Sequence, residues 1–217
     1  MAPDTVLRLS TCELRPWAWQ DKASLVLHAN NPRVAGMLTD RFPHPYTETD
    51  ADAWIGLNQV RIPPTNLAIV LDGVAVGGVG IDLRSDVHRR SAEIGYWLGE
   101  PFWGRGIATE ALRAMTRYAL SRFELHRLSA HVFEGNAASA RVLEKAGYVL
   151  EGRLRQSAFK WGRTLDVIRL EAGVFSWNPA SARVLEKAGY TLEGRLRQAV
   201  VKHGRVGDRL IYGLLRP

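Results

Sequence analysis

The segment ASARVLEKAGY occurs twice, at Ala138 to Tyr148 and at Ala180 to Tyr190, the second copy displaced by 42 positions. Near-identical letters favour near-identical local structure, so this repeat dictates what the last third of the chain builds, and dictates it twice. In each copy an Asn stands where a helix N-cap belongs, a short amphipathic run follows, and a Gly suited to the left-handed C′ conformation ends it. These are Asn136, Val142, Leu143 and Gly147 in copy one, and Asn178, Val184, Leu185 and Gly189 in copy two. Pro179 at the first helical position sharpens the second start. After each Gly comes a strand, YVLEGRLRQ or YTLEGRLRQ, then a KxGR turn and another strand. The unit is therefore helix, strand, turn, strand, and its matching letters extend back to Val132-Phe133 and Val174-Phe175.

The chain ahead of the repeat interleaves strands and helices. VLRLSTCELR, Val6 to Arg15, reads as a first strand stopped by Pro16. Trp19 to Asn30 carries Ala23, Leu25, Val26 and Leu27 in a short helical pattern. Thr47 is the expected N-cap of a second helix, with Asp50 three residues on as its reciprocal cap. Strand-like runs follow at Leu67 to Leu71, Val74 to Leu83 and Ala92 to Leu98, the first two joined by the hairpin signal Asp72-Gly73. PFWGRGIATEALRAMTRYALSRF places Ala108, Ala111, Leu112, Met115 and Ala119 at helical spacing, and HRLSAHVF is a further strand leading into copy one. Interleaved sheet and helix predict an α/β or α+β layer fold.

Composition narrows the function classes. With 217 residues, 46% of them hydrophobic, the chain can bury a real core. No stretch approaches the roughly 18 apolar residues that could span a bilayer, and the N-terminus lacks the apolar region of a signal peptide, so a cytoplasmic location without membrane contact is expected. Cys12 is the only cysteine and the six His are scattered, which argues against an intrachain disulfide and against a metal site. The net charge of +7 is spread along the chain and reads as a solvated Arg-rich surface, with no direct nucleic-acid partner expected.

The stretch Glu93 to Leu112, EIGYWLGEPFWGRGIATEAL, carries the chemistry. A strand ends, Gly104 and Gly106 allow close backbone approach, and a helix begins, so several N–H groups without helical partners point at one spot suited to a phosphate. The whole string resembles the acetyl-CoA signature of the GNAT N-acetyltransferases, in particular the RimJ/RimL-type ribosomal-protein branch. PYTETDADAW and NAASARVLEKAGYVLEGRLRQ extend the resemblance over nearly the whole chain.

The resemblance implies a mixed central sheet flanked by helices, with an extra C-terminal α-β-β unit, and acetyl-CoA as cosubstrate. Its pantetheine would hydrogen-bond main chain at Trp97 and Leu98, and its pyrophosphate would sit on the N–H groups of Trp103, Gly104, Arg105, Gly106, Ile107 and Ala108, with Arg105 adding a cation. Pro101 departs from the family pattern, which opens this loop with Gln or Arg. An amine attacking a thioester must lose a proton, and Glu93 is the candidate base, on the strand face it shares with Gly95 and Trp97. The Leu98 N–H is the candidate donor to the thioester oxygen. Many family members place a Tyr for the leaving thiolate where this chain has Leu143, and in the branch resembled here Ser139 replaces it. Asn136 is read as a cap that can also contact pantetheine amides.

There is one EIGYWL and one WGRGIATEAL, so only one complete acetyl-CoA site can be assembled. Phe133 lies just ahead of Asn136, a normal strand-to-helix spacing, so Ser139 is the better placed and Ser181 the weaker. The expected division is a GNAT domain over 1–171 and a repeated unit over 172–217, either an added layer or a segment exchanged with copy one or between chains. The expected acceptor is a primary amine, first a protein N-terminus, next an aminoglycoside or small polyamine drawn by Glu48, Asp50 and Asp52. A different class is a module that binds acetyl-CoA without turnover. The family resemblance also implies a homodimer.

Overall fold

A computed structural model describes residues 5–172, 191–202 and 205–213. The expected helix of copy two, with Asn178, Ser181 and Gly189, lies outside the described residues. The chain divides into two compact units, one comprising Met1–Asp82 and Ile94–Arg122, the other Leu83–Glu93 and Phe123–Pro217.

In the first unit, β1 (Leu7–Arg8), β2 (Glu13–Arg15), β3 (Asn66–Leu71) and β4 (Val74–Leu83) pair antiparallel in sequence order. The single strand expected over Val6 to Arg15 is thus two strands. The Leu9 N–H donates to the Cys12 carbonyl at 2.9 Å, and Ser10 and Thr11 at the tip turn their amides to Glu110 instead of a neighbouring strand. The Asp72-Gly73 turn has the two positive φ angles its hairpin needs, 47° and 81°.

The helical run expected over Trp19 to Asn30 is a 3-10 turn followed by α1 (Lys22–Ala29), and a short α2 (Pro32–Ala35), not expected from the sequence, comes after it. Asn31 restarts it: its side-chain oxygen accepts the Arg33 amide at 2.8 Å, and Pro32 needs no donor in the first turn. α3 (Glu48–Gln59) begins with the Thr47/Asp50 capping box. Its inward face, Ala51 and Ile55, packs with Leu25 and Ala29 of α1, with Trp17 and Tyr46, and with Ala68, Val70 and Ala75 of the sheet. α4 (Ile107–Arg122) buries Ala111, Leu112, Met115 and Ala119 of the stripe its spacing predicts; Ala108 is only half-buried, and Ile107 and Ala114 are buried in addition.

The second unit holds the first three residues of β5 (Ser91–Leu98), which run parallel to β6 (Arg127–Phe133), so the sheet is mixed. α5 (Ala137–Lys145) ends at Gly147, φ 95°, as its sequence requires. β7 (Val149–Lys160) and β8 (Arg163–Ala172) form a hairpin, β8 also pairs with β6, and β9 (Thr191–Lys202) pairs with both β7 and β10 (Arg205–Gly213).

The two hairpins carry the same contacts 42 positions apart. Arg153 Nε donates to Asp166 at 2.6 Å and Arg195 Nε to Asp208 at 2.7 Å. The amides of Gln156 and Gln198 donate to the other oxygen of the same carboxylates, at 2.8 and 3.0 Å, and both residues are left-handed, φ 49° and 50°.

Candidate functional site

In the first unit, Gly99 to Thr109 leads from β5 into α4. Gly104 and Gly106 take φ 74° and 80°, a region that a Cβ disfavours, and the first turn of α4 follows at once. The backbone N–H groups of Ile107, Ala108 and Thr109 have no helical carbonyl one turn earlier, so the loop presents donors at the positive end of a 16-residue helix. Arg105, exposed, stands beside them and edges a concavity shared with Arg8 and Arg15. Pro101 sits inside a 3-10 turn, Glu100 to Phe102, where its missing N–H costs nothing.

This loop is braced from α2. Asn31 Nδ2 donates to Glu100 at 2.8 Å, Arg33 pairs with the same carboxylate, and the Arg33 guanidinium lies 5.4 Å from the Trp103 ring. Trp103 in turn donates its indole N–H to the Leu98 carbonyl at 2.6 Å. β4 meets β5 closely: a Cβ on Gly77 would sit 2.5 Å from the Trp97 carbonyl oxygen, so only glycine permits this approach.

In the second unit, Glu93 is half-buried and tied. One carboxylate oxygen pairs with Arg84, and the other accepts from His131 Nδ1 at 2.8 Å. Arg169 Nη1 lies 2.7 Å from His131 Nε2, on the far side of the ring from Glu93. Burial pushes the Glu93 carboxyl up, but the His131 hydrogen bond and the charges of His131, Arg84 and Arg169 outweigh it and hold Glu93 below the usual carboxylate range. Arg84, His131 and Arg169 are neighbours that sequence reasoning missed. They come from β6, β8 and the segment before β5, and no local spacing announces them.

Asn136 caps α5, its side-chain oxygen accepting the Ser139 amide at 3.1 Å, so Ser139 is the third helical residue. Leu143 is buried in the core. Glu48, Asp50 and Asp52 are already engaged: Lys22 Nζ lies 3.2 Å from Glu48 and 2.9 Å from Asp52, and Asp50 closes the Thr47 cap. Among the described residues no group of three His, Cys, Asp or Glu could hold a metal ion. No described helix is long and apolar enough to cross a membrane.

Several solved structures share this fold. An acetyltransferase (GNAT family) from Bacillus anthracis has a TM-score of 0.67 at 20% identity, covering 77% of this chain and 98% of that one. RimL, a ribosomal L7/L12 alpha-N-protein acetyltransferase solved with coenzyme A, gives 0.68 at 21% identity, covering 77% and 97%. Among curated proteins, YdaF of Bacillus subtilis (strain 168), provisionally named a ribosomal N-acetyltransferase, is 34% identical over 100 residues, 46% of this chain and 54% of the relative. The ribosomal-protein-serine acetyltransferase of Escherichia coli (strain K12) is 39% identical over 76 residues, 35% of this chain and 42% of the relative. The chain spans about half the length of the curated relatives it matches. The model of the acetyltransferase (GNAT) domain matches residues 12–149, more than half of the chain, and with the mixed sheet and the glycine loop before α4 it gives the conclusion: this chain belongs to the GNAT acetyltransferase family.

Proposed function

We propose that the protein transfers the acetyl group of acetyl-CoA to a primary amine, first of all the N-terminal amine of a protein. The observation that carries the reading is the pair of left-handed glycines, Gly104 and Gly106, opening directly into the donor-rich first turn of α4. An anionic pyrophosphate suits those donors and the helix dipole, by roughly 0.3–1 kcal/mol for the dipole alone. In this reading the amides from Gly104 to Ala108 hold the pyrophosphate, the Trp103 amide being spent on the Glu100 carbonyl at 3.2 Å, Arg105 adds its charge, and the main chain of Trp97 and Leu98 holds the pantetheine.

Glu93 then takes the proton that the attacking amine must lose, directly or through water. The Leu98 N–H donates to the thioester oxygen as that oxygen gains charge. Ser139 donates to the departing thiolate, and Asn136 positions α5. The names of YdaF and of the Escherichia coli relative favour a ribosomal-protein acceptor. The engagement of Glu48, Asp50 and Asp52 by Lys22 and Thr47 counts against a polyamine drawn by free carboxylates. We further propose that 172–217 is an added unit on a GNAT domain that ends near 171.

A second reading is supported by the ties on Glu93. A carboxylate held by Arg84 and His131 is a weaker base, as suits a module that binds acetyl-CoA without turnover. Thiol release from acetyl-CoA, assayed with N-terminal peptides, aminoglycosides, polyamines and amino acids, separates the readings. Release with peptides alone supports the first. Binding of acetyl-CoA with no release from any amine supports the second.

A further inference from the structure

β7 and β9 occupy the same place in the two copies of the repeat, and they run antiparallel with Gly152 opposite Gly194. Each glycine thus faces its own equivalent, 42 positions away. The flanking pairs follow the same rule. Arg155 Nε donates to Glu193 at 2.9 Å, while the Arg197 amide donates to Glu151 at 3.1 Å and the Arg197 charge also acts on Glu151. Positions 155 and 193 and their equivalents 197 and 151 thus meet at symmetric places, the first pair through the Arg155 guanidinium and the second through the Arg197 main-chain amide. Such reciprocity, residue i on j and j on i, defines a two-fold contact between identical subunits.

The glycines meet a demand made of both copies. A Cβ on Gly152 would sit 2.4 Å from the Glu193 carbonyl oxygen, and one on Gly194 would sit 3.3 Å from the Gly152 Cα. The backbones approach closely at this glycine pair, each residue of which faces its own equivalent. The sequence EGRLR, present in both strands, therefore carries a complete self-complementary edge: a glycine at the axis, a carboxylate on one side and a guanidinium on the other.

We infer that the β7–β9 contact is a two-fold interface folded into a single chain, and that the EGRLR edge of either strand is a docking surface for the same edge of a second copy of this protein. Within one chain the two edges satisfy each other. When β7 is made unfit for β9, the β9 edge retains Glu193 and Arg197 and pairs with β9 of another molecule.

Sedimentation velocity of the full chain over a concentration series tests this. Arg155→Glu sets two carboxylates against each other at the contact, and Gly152→Val blocks the close approach; each should move the protein to an assembly of twice the wild-type mass. Arg155→Glu/Glu193→Arg restores an opposite-charge pair within the chain and should return the wild-type mass. Arg155→Glu/Arg197→Glu leaves neither strand self-complementary and should also show the wild-type mass. Circular dichroism confirms that each variant is folded. The inference is overturned if neither single variant associates further, or if association persists in Arg155→Glu/Arg197→Glu.

Discussion

Thr11 donates its amide to Glu110 at 2.9 Å across 99 positions of sequence, and its hydroxyl donates to the same oxygen. Ser10 does likewise to the other oxygen, at 2.8 Å from its amide and 2.7 Å from its hydroxyl. One carboxylate in the first turn of α4 thus holds the whole tip between β1 and β2. Burial pushes the Glu110 carboxyl up, but these four donors outweigh it and bring it to about 2 from an ordinary value of 4.5. A depressed carboxylate stabilises the fold above its unfolded pKa, and that contribution is lost as pH falls from 4.5 toward 2. Glu110→Gln should cost about 1 kcal/mol at neutral pH, with solvent screening allowed for, and should flatten the fall of melting temperature below pH 4.5.

Gly104→Ala and Gly106→Ala each force a Cβ into the left-handed region, at roughly 1–2 kcal/mol. The loop can relieve that strain by turning its amides away. Acetyl-CoA affinity measured by titration calorimetry should therefore fall about tenfold, while the melting temperature without ligand changes little.

Glu93→Gln should lower kcat by about 10²-fold or more with acetyl-CoA affinity nearly unchanged, as expected of a proton acceptor. Because the Glu93 carboxyl is held low, the acid limb of kcat/KM against pH should lie below the usual carboxylate range. His131→Ala removes the hydrogen bond that lowers it and should move that limb to higher pH.

Arg127 and Glu151 form a fully buried pair, 2.7 Å apart, and at both ends burial outweighs the attraction: the Glu151 carboxyl is raised and the Arg127 guanidinium lowered. Glu151→Ala leaves a buried cation without its counter-charge and should cost about 3–5 kcal/mol in denaturant unfolding. Arg127→Met/Glu151→Leu removes both charges and should cost less than the single change.

Elements governed by neighbours in sequence were legible beforehand. Asp72-Gly73, the Thr47/Asp50 cap and the buried stripe of α4 all depend on residues within a turn or two of one another. The division of Val6 to Arg15 into β1 and β2 was not, because Glu110, which holds the tip, lies far along the chain. The same holds for Glu93. Its position on a strand face follows from alternation, whereas the cations that set its basicity arrive from Arg84, His131 and Arg169 through sheet pairing. The brace on the glycine loop was hidden for a further reason: α2, which supplies Arg33, is too short to show a periodicity.

The matched locks, Arg153 on Asp166 and Arg195 on Asp208, also bear on how this gene can change length. A recombination that drops one 42-residue period between Arg153 and Arg195 splices the beginning of one hairpin to the end of the other. Arg153 then stands as far from Asp208 as Arg195 does now, and the Gln amide three residues on still reaches that carboxylate. Wherever the crossover falls, the shortened chain inherits one intact hairpin lock.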